Sequence, residues 1–315
     1  MPLELKSFRL PKIWGGTDTN MNDNRPCLGL VLVVLSAISY AANSTLSVVA
    51  YGGGATPLSM VSFRVTITVI ALYALLRLMS VSLVMTPRDR NISLALGILL
   101  AVYSYCLMEA FDRLPVALAV LTFYLYPLFM GIAAYVIGQD RLSRALVIGL
   151  IVAFVGLAVA LDVTGGSLDT LGIALAAIAA ATFTAVAIIA APIVKRHGDP
   201  RPLVLYSHAT CAVIMIATSL IVWEFPLPTT TRTLSAFFAV PVFYTVAAVA
   251  FFAAVTRIGT IRTGLVMNLE PIAAMVFGFT ILGQILTPIQ VAGAALVIAA
   301  ATAAKWDSGR LQTED

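Results

Sequence analysis

Residues 113–160 read RLPVALAVLTFYLYPLFMGIAAYVIGQDRLSRALVIGLIVAFVGLAVA, and residues 257–304 read RIGTIRTGLVMNLEPIAAMVFGFTILGQILTPIQVAGAALVIAAATAA. Laid over one another, they place Arg113 on Arg257, Pro127 on Pro271, Leu142 on Leu286 and Gly149 on Gly293 at one offset. The pairs Gly138-Gln139 and Gly283-Gln284 are displaced by a single residue, as an insertion in each half would produce. The beginnings of the halves agree as well: LGLVL at 28–32 matches LGIAL at 171–175, and Ser39-Tyr40 matches Thr182-Phe183. Coincident Arg, Pro and Gly-Gln positions outweigh chance similarity between Ala/Leu/Val-rich segments, so the chain is an internal repeat.

The solvent of each copy follows from composition. Hydrophobic residues make up 60% of the chain and charged residues 11%, with a mean hydropathy of +0.99, whereas soluble domains carry about 25% charged residues. Roughly 20 apolar residues at 1.5 Å rise cross the hydrocarbon of a bilayer. Such runs are read at 28–50, 57–79, 92–111, 116–137, 145–161, 171–194, 203–223, 234–256, 262–282 and 288–304. They are continuous rather than alternating over about ten residues, which excludes a barrel, and helices alone then satisfy the backbone in lipid. The fold class is an all-α integral membrane protein of about ten transmembrane helices. Its parts are a polar basic tail at 1–27, a first five-helix unit at 28–161, a second at 171–304 and a short tail at 305–315.

The formal net charge of +4 would suit an acidic partner if the cations shared one surface, but they sort by side of the membrane. With a cytoplasmic N-terminus, the inside segments hold Lys6, Arg9, Lys12, Arg25, Arg77, Arg88, Arg90, Arg141, Arg144, Lys195, Arg196, Arg201, Arg257, Arg262, Lys305 and Arg310, and the outside segments only Arg113 and Arg232. This is the positive-inside bias. It predicts a multi-pass protein of the cell (cytoplasmic, inner) membrane with both termini cytoplasmic, whose partners are the lipid bilayer and a small-molecule solute and not a nucleic acid. Cys27, Cys106 and Cys211 lie at or within spans without metal-type spacing, so no disulfide framework, metal or cofactor is expected.

Five spans per unit is an odd number. The second copy therefore enters the membrane from the opposite side, giving the inverted-topology repeat of many secondary transporters. At the residues quoted above the chain resembles the EamA family of the drug/metabolite transporter (DMT) superfamily, over roughly 28–304. The family pattern is a fourth helix with a mid-membrane Pro, a Gly-Glu-x-Leu-[Ser/Thr] turn and a Gly-containing fifth helix. This chain reads Tyr126-Pro127, Gly138-Gln139-Asp140-Arg141-Leu142-Ser143 and Gly149 to Gly156, then Glu270-Pro271, Gly283-Gln284-Ile285-Leu286-Thr287 and Gly293. Gln stands where the family usually has Glu in both turns, so no role of that carboxylate's charge carries over. The resemblance implies two five-helix domains with cytoplasmic termini; relatives export amino acids, metabolites or drugs, and some take solutes up.

Ionisable and polar side chains inside spans are the candidates for a path, because a charge at the bilayer centre costs at least about 2.5–3.5 kcal/mol. Asn43, Arg64, Glu109, His208, Asn268 and Glu270 stand out, joined by Tyr103, Tyr105, Tyr124, Tyr126 and Tyr244. Asn43, Arg64, Tyr105, Tyr126, Tyr244, Asn268 and Glu270 are read as substrate-binding or path-lining, and Glu270, His208 and Glu109 as proton-coupling candidates. Pro271 removes a helix hydrogen bond and frees the carbonyl of Met267, with Pro127 its counterpart. The two notches would face each other, with Glu270 opposite Tyr126. Glu270 either binds substrate or a proton, or is paired structurally with Arg64 or a backbone donor. Arg64 cannot be neutralised and needs a counter-ion or an anionic ligand. His208, its approximate counterpart, is either a satisfied helix contact or a proton carrier. Glu109 lies four residues before Arg113, the spacing of a helical ion pair, and Tyr105 shares its face while Tyr103 does not. The small residues Gly149 and Gly156, and Gly293 and Ala300, mark packing faces, either within the chain or between the copies of a homodimer.

No HExxH, Walker-type glycines or zinc spacing accompanies the two histidines, His197 and His208, so no catalytic residues are assigned and the chain is not read as an enzyme. The reading is a secondary transporter exporting small polar or amphipathic metabolites by alternating access, with proton coupling at the titratable groups. A passive channel and an intramembrane enzyme are the alternatives. Met21, whose successors Asn-Asp-Asn-Arg lead into the first span, is an alternative to Met1 as the translational start. The intact mass of the natively expressed protein checks this, and a terminus at Met1 or Pro2 would end the idea.

Overall fold

A computed structural model describes residues 25–136, 144–160, 169–197, 199–223 and 225–310. The tail before Arg25, the proposed start at Met21 and the first Gly-Gln turn with Asp140 lie outside the described residues. The described residues are helical: α1 (Arg25–Tyr51), α2 (Pro57–Leu78), α3 (Pro87–Arg113), α4 (Val116–Phe123), α5 (Tyr126–Val136), α6 (Arg144–Ala160), α7 (Thr170–His197), α8 (Arg201–Val222), α9 (Thr231–Val266), α10 (Leu269–Leu282) and α11 (Pro288–Arg310). Six of the described helices contain stretches long and apolar enough to cross a membrane: Cys27–Tyr51, Pro57–Leu78, Pro87–Arg113, Thr170–Val194, Arg201–Val222 and Thr231–Val255.

Helix boundaries follow local chemistry. Thr56 caps α2 through the Ser59 N–H while the Ser59 hydroxyl takes the Thr56 N–H, and Pro57 stands where a missing donor costs nothing. Thr86 caps α3 through the Asp89 N–H, ahead of Pro87. The expected fourth span is two helices, α4 and α5, separated by the turn Tyr124-Leu125 just before Pro127. The corresponding break in the second half, Met267-Asn268 between α9 and α10, again precedes a proline, Pro271.

One boundary differs from the sequence reading. A connection was expected around Arg257–Arg262, between the spans at 234–256 and 262–282, yet helix α9 runs unbroken through it to Val266. In the first half the chain leaves α3 at Leu114-Pro115, where proline cannot donate the next helical bond. At the equivalent place stands Gly259, which keeps its N–H and lets the helical assignment continue.

The packing joins the two halves. α1 lies along α9 and α10, and its counterpart α7 lies along α3 and α4; α2 lies on α9, and its counterpart α8 on α3. Two further contacts pair an element with its own counterpart, α2 with α8 and α6 with α11, and α4 lies on α10. α1 and α9 run antiparallel, since Ser36 Oγ donates to the Ala247 carbonyl at 2.8 Å while Gly29 abuts Ile258. The polarity of the bundle is reversed relative to a soluble protein. Ser36, Ser47, Ser62, Arg64 and Thr68 are buried, whereas Ile70, Val213, Leu220, Phe238, Val276 and Phe279 face outward.

Contact between α6 and α11 is made by glycine. A Cβ on Gly156 would lie 2.7 Å from Leu296 Cβ and 3.0 Å from the Gly293 carbonyl, and one on Gly293 would overlap the Ala160 backbone. These small-residue faces therefore pack within the chain; the side-chain environments of Gly149 and Ala300 lie outside the described set. Replacing Gly293 by Ala should force the two backbones apart at a cost of about 1–3 kcal/mol. The expected result is a lower unfolding temperature of the purified protein, with Gly283→Ala as a comparison that meets no neighbour but holds an unfavourable φ of +66°.

Candidate functional site

Where α4–α5 and α9–α10 break, backbone carbonyls lose their helical donors, and a buried carbonyl without a partner costs about 1–3 kcal/mol. At the second break the repair comes from the other repeat. The Tyr124 hydroxyl donates to the Met267 carbonyl at 2.6 Å and lies 3.0 Å from Glu270 Oε2, while the Glu270 N–H also reaches Met267 O at 2.9 Å. Met267 is the residue whose carbonyl Pro271 frees. A phenol has one hydrogen, and two acceptors compete for it. An ionised Glu270 must share that hydrogen, whereas a protonated one can donate to the Tyr124 oxygen and leave the phenol's hydrogen to Met267.

The hydroxyl bonded to Glu270 is thus Tyr124's, two residues before the Tyr126 expected opposite it. Tyr126 lies in the same cluster, its ring 5.7 Å from Tyr124, 5.3 Å from Phe123 and 5.1 Å from Phe183. Tyr103 joins through Phe123 and Phe183 at 5.6 and 5.4 Å. Thr184 of α7 donates to the Tyr126 carbonyl at 3.2 Å, tying the first break to the second repeat. Asn268, at Tyr124's equivalent position in the second break, is buried.

A second group gathers on Tyr244 of α9. The Arg64 guanidinium stands 4.2 Å above its ring, and His208 Nε2 is 3.3 Å from its hydroxyl. His208 Nδ1 lies 2.8 Å from the Val204 carbonyl. A carbonyl only accepts, so Nδ1 carries the hydrogen; in the neutral ring Nε2 then accepts, and Tyr244 donates to it. Arg64 and His208, at approximately equivalent places in the repeats, meet on one phenol. Tyr40 links the two groups: its ring is 5.9 Å from Tyr244, and it feels the charges of both Glu270 and Arg64.

Arg64 and Glu270 form no ion pair among the described residues, so that pairing, left open by the sequence, is not made. Arg64 is 2% exposed; Nη1 donates to Met108 Sδ at 3.7 Å and Nε has no acceptor. A desolvated cation–π contact is worth about 2 kcal/mol, against a desolvation penalty of several kcal/mol per buried ion. The cation is held at a net cost.

The remaining candidates lie elsewhere. Glu109 pairs with Arg113 at 2.7 Å, and Arg113 also reaches Asp169 at 3.1 Å. The guanidinium holds the Asp169 carboxyl below the usual range. Tyr105, Cys106, Glu109 and Asp112 of α3 line, with Ile214 and Met215 of α8, a cavity of about 600 Å³ whose lining includes neither Arg64 nor Glu270. Asn43 is buried on α1, its Oδ1 unbonded and its carbonyl accepting from Ser47 Oγ at 2.8 Å. Sequence reasoning passed over Tyr40 and Phe183 as site residues, although their alignment as an aromatic pair in the repeat was a signal. Met108 carried none.

Two tandem helical units, each broken just before a proline and joined by an aromatic and polar cluster, match a family model twice, at residues 27–161 and 170–304. The chain belongs to the EamA-like transporter family. It is a multi-pass membrane protein of the drug/metabolite transporter type. A solved structure described only as "Crystal structure of protein" is similar to the chain with a TM-score of 0.60 and 19% identity, covering 92% of this chain and 99% of that one; the likeness shows the fold alone. Comparison with curated proteins gives no match.

The Tyr124 hydroxyl serves a backbone carbonyl and a carboxylate without contributing to helix formation. Tyr124→Phe, which conserves shape, is expected to destabilise the EamA-family protein by about 1–3 kcal/mol. Thermal or denaturant unfolding in detergent checks it, and an unchanged midpoint would mean that the hydroxyl is not holding the break.

Proposed function

We propose that this chain is a secondary carrier exporting small polar or amphipathic metabolites, such as amino acids, related metabolites or drugs, across the cytoplasmic membrane. The observation that carries the proposal is the Tyr124 hydroxyl of the first repeat bonded to the Met267 carbonyl and Glu270 of the second. A solute that separates these groups also loosens the contact between repeats, which is what alternating access requires. The aromatic walls suit an apolar body, and Glu270 and Arg64 on opposite sides suit a polar head. In this reading the repeats are inverted, both termini are cytoplasmic, and the cluster lies near the midplane.

Proton coupling is assigned to Glu270. Its protonation changes the number of donors available to Tyr124 and Met267, so proton occupancy and the integrity of the inter-repeat contact are linked. His208, whose two nitrogens are already committed to Val204 and Tyr244, supports Tyr244. Glu109, paired with Arg113, serves the α3 terminus. The contact between α6 and α11 is internal, so a homodimer would use another face.

The test is solute flux into proteoliposomes with a mixed panel of amino acids, nucleobases and cationic drugs, for the unaltered protein and Glu270→Gln. A carrier gives saturable flux that accelerates when solute is present on the far side; a channel gives no such counterflow. Glu270→Gln is expected to retain exchange while losing a tenfold or so response to a pH gradient of about one unit. Flux and pH response both unchanged would make Glu270 structural, and a chemically altered solute would favour an enzyme.

A further inference from the structure

Arg64 is a buried cation held without a carboxylate among the described residues. Its guanidinium is buried, with five N–H groups in a planar fork. The acceptors around it are the Met108 sulfur and the face of Tyr244, and Nε has none. The groups that feel its charge include Tyr40, Tyr51, Tyr103, Tyr244, His208 and Cys211. A structural arginine in a lipid-surrounded core is ordinarily satisfied by a carboxylate or by carbonyls. Among the described residues neither is hydrogen-bonded to Arg64.

Ser104, 1% exposed and one helical turn before Met108 on α3, has its hydroxyl committed to the Cys211 thiol of α8. What remains is the Arg64 fork with aromatic rings beside it, Tyr244 at 4.2 Å and Tyr40 with its ring 5.9 Å from that of Tyr244. The complement of that set is one negative charge on a planar pair of oxygens with an apolar or aromatic body behind it.

We propose that Arg64 is the anion receptor of this protein: it takes the carboxylate of an aromatic or apolar monocarboxylic solute, with Tyr244 holding the guanidinium ready. The inference rests on the carrier reading for the statement that this anion is cargo. Tyr244 fits the role because its hydroxyl is spent on His208, leaving the ring face to the cation.

Sodium benzoate, with benzamide as the neutral isostere and sodium chloride at equal ionic strength as reference, is the probe. Unfolding of the purified full-length protein in detergent is followed at rising benzoate. A saturable rise in unfolding temperature is expected with benzoate and not with benzamide, and it should vanish in Arg64→Met. Because that variant removes an uncompensated buried charge while conserving length, its unfolding temperature without benzoate should equal or exceed the parent's. If Arg64→Met does not fold, Arg64→Lys keeps the charge and loses the fork; its half-saturating benzoate concentration should rise about tenfold or more. Equal responses to benzoate and benzamide, a benzoate response retained in Arg64→Met, or unaltered affinity in Arg64→Lys would overturn the proposal. Flux of a neutral or cationic solute that benzoate does not inhibit would remove this inference and leave the carrier standing; benzoate binding without flux of any solute would do the reverse.

Discussion

The structure depends on the obligation of every backbone N–H and C=O in hydrocarbon to find a partner within the protein. Helices meet it automatically until a proline intervenes. Each repeat places one proline in the middle of its fourth apolar run, and at the second of these the freed Met267 carbonyl is satisfied by a phenol from the other repeat. A defect in one half thereby becomes a bond between halves. The same need is met at the start of α4, where Pro115 offers no side-chain cap and the Val116 N–H instead donates to Gln284 Oε1 of the second repeat at 3.2 Å. Glutamine does this as a neutral acceptor, which accounts for a carboxylate being dispensable at that turn.

The candidate site gathers two polar groups, one of them at such a repair. Glu270 belongs to the break itself, and Tyr124, Tyr126, Phe123 and Phe183 pack around it. Arg64 and His208 approach Tyr244 from different helices, and Tyr40 connects that group to the first. Among the described residues the two charges form no ion pair; Arg64 rests on the Tyr244 ring and Glu270 on the Tyr124 hydroxyl.

Much of this was legible in the residues. Apolar runs of membrane length, the repeat and the two prolines each follow from spacing in the sequence, because span length and backbone hydrogen bonding are local constraints. The Glu109–Arg113 pair is local too, being set by helical pitch. What was not legible depends on which face meets which. That the Tyr124 hydroxyl reaches Met267 and Glu270 depends on α4 packing against α10, which no local pattern carries. Arg64 lying on Tyr244 instead of beside a carboxylate required knowing that α2 packs against α9. The unbroken α9 was missed because Arg257 and Arg262 look like a loop, while the structural contrast lies in a single position, Pro115 against Gly259.

Contacts that pair a helix with its own counterpart, α2 with α8 and α6 with α11, are of the isologous kind that identical subunits make about a two-fold axis. In a true homodimer every substitution at such a seam appears twice, so a single carboxylate near the axis would always face its twin. Covalent fusion of the copies lifts that restriction. Glu270 can answer Tyr126, and Arg64 can answer His208, because each half has been free to diverge alone. The chain keeps the interface of a symmetric pair while holding a centre that has a direction.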